Sequence, residues 1–285
     1  MEEKILETLT RIADALEQQN SPVVSHAVDP NKNAFVFDVS TTSLISIDKV
    51  AAPPLSLLLG VDRTKNTLLE NTVRFANGFS ANNALLWGAR GMGKSTLVKA
   101  LHKHINETNP HSRLGLVEIH REDISALPSL MALLKNEDRP FVVFCDDLSF
   151  NRPDRDFKAL KSVLEGGLEG RPNNVLFYAT SNRRHLMPRS MMDQEQATAI
   201  NPTEAMDETI ALSDRFGLWL GFHACDQKDY LAMIEGYFAH LGLPFSDTWK
   251  EEALNWSKTR GSRSGRVAWQ FVTDYAGRNN RTISL

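Results

Sequence analysis

Five short apolar runs mark the middle of the chain, at 83–87, 114–119, 141–145, 175–180 and 216–222. Each is nearly free of charge, as expected of strands buried on both faces rather than on one. Between them the apolar positions recur at helical spacing. Leu97, Val98, Leu101 and Ile105 share one face after the first run. A helical pattern over 124–134 follows the second, and Leu160, Val163 and Leu164 follow the third before Gly166-Gly167. Such alternation predicts an α/β fold, a five-stranded parallel sheet between helices.

The flanks differ. Ile5, Leu9, Ile12 and Leu16 alternate at spacings of four and three, a narrow helical seam for its own body or a neighbouring subunit. Residues 20–54 are polar, with β-like runs at 34–39 and 44–47, and Pro53-Pro54 closes them. Residues 57–60 lead to Asp62, expected to cap a helix carrying Leu68, Leu69, Val73 and Phe75 that ends at Gly78. Beyond Asp226 only helices are expected: around 230–238, after a cap at Ser246 or Asp247, and over 265–275. This last part is too small to build its own core and should pack on the sheet. The organisation read from the pattern is an accessory region at 1–54, an α/β domain at 55–222 and a helical part at 223–285.

Composition changes this picture little. The hydrophobic fraction of 42% suffices for a sizeable core, and a net charge of −3 exerts no global pull toward nucleic acid or membrane. Only the stretch 258–281 is locally basic. Cys145 and Cys225 both sit in apolar runs, the usage of a reducing compartment. The acidic start Met1-Glu2-Glu3 is unlike a secretory signal, and no apolar run approaches membrane-spanning length. A cytoplasmic protein without a membrane partner is expected.

The chemistry begins where the first run ends. Gly88-Ala89-Arg90-Gly91-Met92-Gly93-Lys94-Ser95-Thr96 is a phosphate-cradling P-loop between a buried strand and an amphipathic helix. Three glycines let the backbone turn its N–H groups inward, where side chains would block a phosphate. Lys94 supplies a point charge for the β- and γ-phosphates, the Ser95 hydroxyl can ligate Mg²⁺, and the following helix aims its positive end at the same anion.

Asp146 and Asp147 close the third apolar run, at the strand end where ligands bind in such sheets. Asp146 is expected to hold Mg²⁺, and Asp147 to polarise the attacking water. Asn182 ends the fourth run, where its amide either orients a water or caps the loop. Arg183 and Arg184 follow it directly. Arg215 precedes the fifth run, and Arg263 and Arg266 begin the last helix; guanidinium groups clamp phosphates bidentately.

This ordered set resembles the AAA+ P-loop ATPases. More narrowly, Cys145-Asp146-Asp147-Leu148-Ser149-Phe150 and Ala179-Thr180-Ser181-Asn182-Arg183-Arg184-His185-Leu186 are similar to an uncharacterised bacterial AAA+ family known as a domain of unknown function. The resemblance implies Mg-ATP as ligand and Asn182 as sensor 1. It implies Arg266 as the lid's sensor 2, and Gly60 and Val61 near the adenine. Arg215 would be the arginine finger, acting in trans within a homo-oligomer, with Arg183 or Arg184 competing for that role. The expected function is ATP hydrolysis that remodels or loads a protein or nucleic-acid partner. The alternatives are a nucleotide-gated binding module with very slow hydrolysis and a nucleic-acid-associated ATPase. Slow turnover is motivated by Asp147, because most AAA+ proteins place a glutamate there. The segment His120-Arg121-Glu122-Asp123-Ile124 lacks the aromatic–hydrophobic–glycine loop of polypeptide-threading members.

Overall fold

The structure is a computed structural model that describes residues 28–150, 155–166, 170–184, 186, 212 and 214–284. The chain divides into two compact units, 1–31 and 32–285, and of the first only residues 28–31 are described. The helix expected at 3–18 lies outside the described residues.

The second unit is built on one seven-stranded sheet, ordered β2-β1-β4-β5-β6-β3-β7. The strands are β1 (Ala34–Asp38), β2 (Ser43–Ser46), β3 (Ala84–Gly88), β4 (Gly115–Glu118), β5 (Phe141–Cys145), β6 (Val175–Ser181) and β7 (Leu218–Phe222). The five expected strands are all present and mutually parallel, and the expected count is corrected by two. Both extra strands come from the polar N-terminal stretch: β1 pairs parallel with β4, and β2 folds back antiparallel on β1. Their sequence pattern shows strand character but not the neighbour they pair with. Asn33 supplies that link, because its carbonyl and that of Leu114 both accept from His102 Nε2, at 2.8 and 3.0 Å.

The helices are α1 (Asp62–Ala76), α2 (Lys94–Thr108), α3 (Leu127–Lys135), α4 (Arg155–Glu165), α5 (Gln227–Leu241), α6 (Trp249–Thr259) and α7 (Gly265–Arg278). Leu97, Val98, Leu101 and Ile105 of α2 are buried as their spacing predicts, in one core with Leu86, Phe144 and Tyr178 of the sheet. The same core includes Tyr230, Phe238, Phe271 and Tyr275, so the C-terminal helices share the interior of the sheet.

Cap assignments move by a residue or two. Val61 rather than Asp62 occupies the cap of α1, and Asp62 instead pairs with Lys65 at 2.7 Å in the first turn. Thr248 caps α6, downstream of Ser246 and Asp247. At α7 the Ser264 hydroxyl accepts from the Val267 amide, the expected chemistry of an N-cap.

His102 carries a stability prediction. It is 6% exposed, its Nε2 donates to the two carbonyls, and its Nδ1 has no hydrogen-bond partner among the described residues. Burial pushes its pKa from 6.5 down to about 4, outweighing the two carbonyls that favour the charged ring. Above pH 6.5 neither the folded nor the unfolded ring is charged. Between pH 6.5 and 4 only the unfolded chain takes the proton, so up to about 3 kcal/mol is lost as pH falls and the loss levels off below pH 4. Urea unfolding at pH 7 and pH 4.5 should show this loss in the wild type and a smaller one in His102→Gln. Equal losses in the two proteins would contradict it.

Candidate functional site

Strand order assembles the site. The P-loop follows β3, the acid pair follows β5, and Asn182 follows β6, which lies between them. An amide at the end of the central strand can therefore reach both neighbours. Asn182 Oδ1 accepts from Lys94 Nζ at 3.0 Å, while its Nδ2 donates to Asp147 Oδ1 at 2.6 Å.

The loop backbone explains its glycines. Gly88, Gly91 and Gly93 all have positive φ, at 126°, 73° and 86°. Two of them are also sterically fixed. A Cβ on Gly88 would lie 2.1 Å from the Phe222 carbonyl oxygen, and one on Gly91 would lie 2.9 Å from Ser264 Oγ. Gly91 thus meets the start of α7: its carbonyl accepts from the Arg266 amide at 3.0 Å.

Lys94 is 7% exposed, and its Nζ also donates to the Gly88 and Ala89 carbonyls, each at 2.9 Å. All three ammonium protons are used, and all on uncharged oxygens. Burial holds the lysine below its ordinary pKa, against the pull of Asp146 and Asp147.

Ser95 Oγ and Thr180 Oγ1 both donate to Asp146 Oδ1, at 2.5 Å each. The residues present fit a magnesium ion. Ser95 and Asp146 are hard oxygen donors already in contact, and Mg²⁺ is usually held by one or two protein groups plus phosphate and water. Among the described residues no cluster of three His, Cys, Asp or Glu side chains could hold a metal alone.

These groups open into a cavity of about 660 Å³ lined by Arg90, Gly91, Met92, Gly93, Lys94, Ser95 and Thr96, with Asp146, Asp147, Asn182 and Arg266. Its apolar end is formed by Pro53, Leu57, Leu58 and Leu59 with Met233 and Tyr237 of α5 and Trp269 of α7. Gly60 and Val61 fall just outside this lining. Val61 is buried at the cap of α1, and a Cβ on Gly60 would meet Asp229 of α5 at 3.1 Å. The cavity's lining reaches back instead to Leu57, which ends the 3-10 turn at Leu55–Leu57.

Three arginines stand apart from the cavity. Arg215 is ion-paired with Glu165 at the end of α4, and its Nη1 is buried without a hydrogen-bond partner among the described residues. Arg183 Nη1 donates to the Phe150 carbonyl at 3.5 Å. Arg184 stacks over the Trp87 and Trp219 rings, 5.2 and 5.4 Å from their centroids.

Sequence reasoning missed Thr180. The available signal was a hydroxyl near the end of a strand that is apolar over its first three residues, since a buried hydroxyl requires a partner.

The family described as "Protein of unknown function (DUF815)" matches residues 30–279. No curated protein sequence matches the chain. Among solved structures it is similar to the RuvB Holliday junction branch migration motor of Thermotoga maritima. That match has a TM-score of 0.52 and 17% identity over 81% of this chain and 68% of that one. The FIGL-1 AAA domain in complex with ADP matches with a TM-score of 0.51 and 13% identity, over 81% and 76%. The Orc1 protein of Aeropyrum pernix in complex with DNA matches with a TM-score of 0.54 and 11% identity, over 83% and 67%. Identities this low speak to the fold, which is that of an AAA+ P-loop NTPase. Among the described residues no helix is long and apolar enough to cross a membrane.

Proposed function

We propose a function from one premise: the chain belongs to the DUF815 family, and its fold is that of the AAA+ ATPases. It binds Mg-ATP in the cavity between the sheet and the C-terminal helices and hydrolyses it as part of a homo-oligomer in the cytoplasm. The cycle serves to remodel or load a macromolecular partner. The observation that carries this reading is Asn182, joined at once to the P-loop lysine and to the second acid of β5.

The residues divide the work. Lys94 and the loop amides hold the phosphates, Ser95 and Asp146 would hold Mg²⁺, and the ion would screen phosphate charge. Asp147 accepts the proton of the water that attacks the γ-phosphorus, as the bond to the β–γ bridging oxygen breaks and ADP leaves. Arg266 is carried by the helix seated on Gly91, so lid position and phosphate occupancy are linked through one backbone contact.

Asp147 has a backbone reason to be aspartate. Its φ is 49°, in the left-handed region, which Asp tolerates better than Glu because its short side chain bonds locally. Steady-state phosphate release should fall about a hundredfold in Asp147→Asn with ADP affinity unchanged, as for loss of a general base. Wild-type protein that releases no phosphate above the Asn variant would sink the hydrolytic reading.

A binding module with very slow turnover is the second reading. The 2.6 Å bond that engages Asp147 with Asn182 favours it, because it occupies a carboxylate oxygen needed by water. A clear gain of turnover in Asp147→Glu would support that module. Support for nucleic-acid binding is thinner. Within the basic C-terminal stretch Arg278 pairs with Glu252 and Asp274, and Arg260 lies over the Trp256 ring.

A further inference from the structure

We propose that Thr180 is a positioning residue that sets both acids of the site through one buried hydroxyl; this rests on the reading of Asp146 as the holder of Mg²⁺. A hydroxyl has one proton to give and lone pairs to accept with. Thr180 Oγ1 gives its proton to Asp146 Oδ1 at 2.5 Å and accepts from the Asp147 backbone N–H at 2.9 Å. A third bond continues the link, from the Leu148 amide to the Thr180 carbonyl at 2.7 Å. Three consecutive residues of the turn after β5 are therefore held by one residue of β6.

The environments explain why threonine suits the task. Thr180 is 1% exposed in a strand buried along its whole length, whereas Asp146 and Asp147 are exposed to the cavity. A β-branched side chain packed in a strand has little χ1 freedom, so the hydroxyl direction is set before any ligand arrives. The amide it holds belongs to a non-glycine residue at φ 49°, where the bond offsets the cost of the left-handed turn.

Ser95 and Thr180 are not equivalent, although both donate to the same Asp146 oxygen. Ser95 sits on the P-loop and must turn its lone pairs to the cation when one binds. Thr180 also borders the cavity but lies buried in β6, with its proton committed to Asp146. Its bond can persist through the cycle, holding the carboxylate in the orientation that receives Mg²⁺ and the Asp147 backbone in the turn that aims its side chain toward Asn182. Partners that orient a metal's direct ligands commonly change affinity by 10- to 100-fold when removed.

The test compares Thr180→Val, which keeps shape and loses the hydroxyl, with Thr180→Ser, which keeps the hydroxyl. ADP binding is measured calorimetrically in EDTA and across a Mg²⁺ series. The valine variant should bind ADP normally in EDTA yet need about tenfold more Mg²⁺ to reach half of the magnesium-dependent gain. The serine variant should follow the wild type. A valine variant with the wild-type Mg²⁺ requirement overturns the role of Thr180 alone. So does a serine variant that loses the response, even if the valine form fails to fold. A wild type whose ADP affinity ignores Mg²⁺ overturns the reading of Asp146 itself, and this proposal with it.

Discussion

Lys94→Ala is expected to weaken ADP binding by about a hundredfold and to abolish phosphate release. A charge-assisted hydrogen bond contributes about 1.5–3 kcal/mol, and each 1.4 kcal/mol is a factor of ten in affinity. The Lys94 ammonium is placed to deliver that contribution in full. It is desolvated and held by the Gly88 and Ala89 carbonyls and by Asn182 at 2.9–3.0 Å. A phosphate entering the loop replaces neutral acceptors with charged ones, without any rotamer having to be ordered first. The alanine variant also frees Asn182 from one of its two partners, so Asp147 loses its tether to the loop. Titration calorimetry with ADP, beside a thermal melt to show that the variant is folded, is the decisive measurement. Wild-type affinity in a folded variant would remove the P-loop from the site.

The legible part of this fold was the part that repeats a simple rule. β3 to β7 were readable because continuous apolar runs have few other uses, and the P-loop because no other chemistry needs those glycines beside that lysine. The limits were non-local. β1 and β2 have strand composition, but nothing near residue 34 announces that β1 pairs with β4, where the buried His102 reaches the carbonyls of Asn33 and Leu114. Gly60 and Val61, expected near the adenine, follow Leu57 to Leu59, which line the apolar end of the cavity, and a family motif does not resolve neighbours so close in sequence. Thr180 was invisible for a different reason. Its hydroxyl, in a strand that also carries Tyr178 and Ser181, becomes meaningful only once the Asp146 carboxylate and the Asp147 amide of the neighbouring strand's turn are seen against it. Arg215 stands out in the sequence by its position before β7, while its partner Glu165 lies fifty residues upstream and could not be inferred.

Arg215→Ala is expected to lower phosphate release by about a thousandfold while ADP affinity stays within about twofold of the wild type, the signature of an arginine that stabilises only the transition state. The geometry behind this is a separation. Arg215 is absent from the lining of the cavity in its own chain, and its guanidinium is engaged with Glu165. An arginine so placed serves its own nucleotide poorly, which leaves a neighbouring subunit's phosphate as the proposed target. The ion pair is partly exposed, so breaking it on assembly costs little. Mixing separates cis from trans action. Lys94→Ala subunits retain Arg215 but lack a working loop, and Arg215→Ala subunits retain the loop but lack the arginine. Where the two meet, one composite site has both. The mixture should therefore release phosphate faster than either variant alone, at a rate that rises with total protein as oligomers form. An unchanged rate in Arg215→Ala would remove the residue from the chemistry. A mixture no faster than its components would place its action within a single chain.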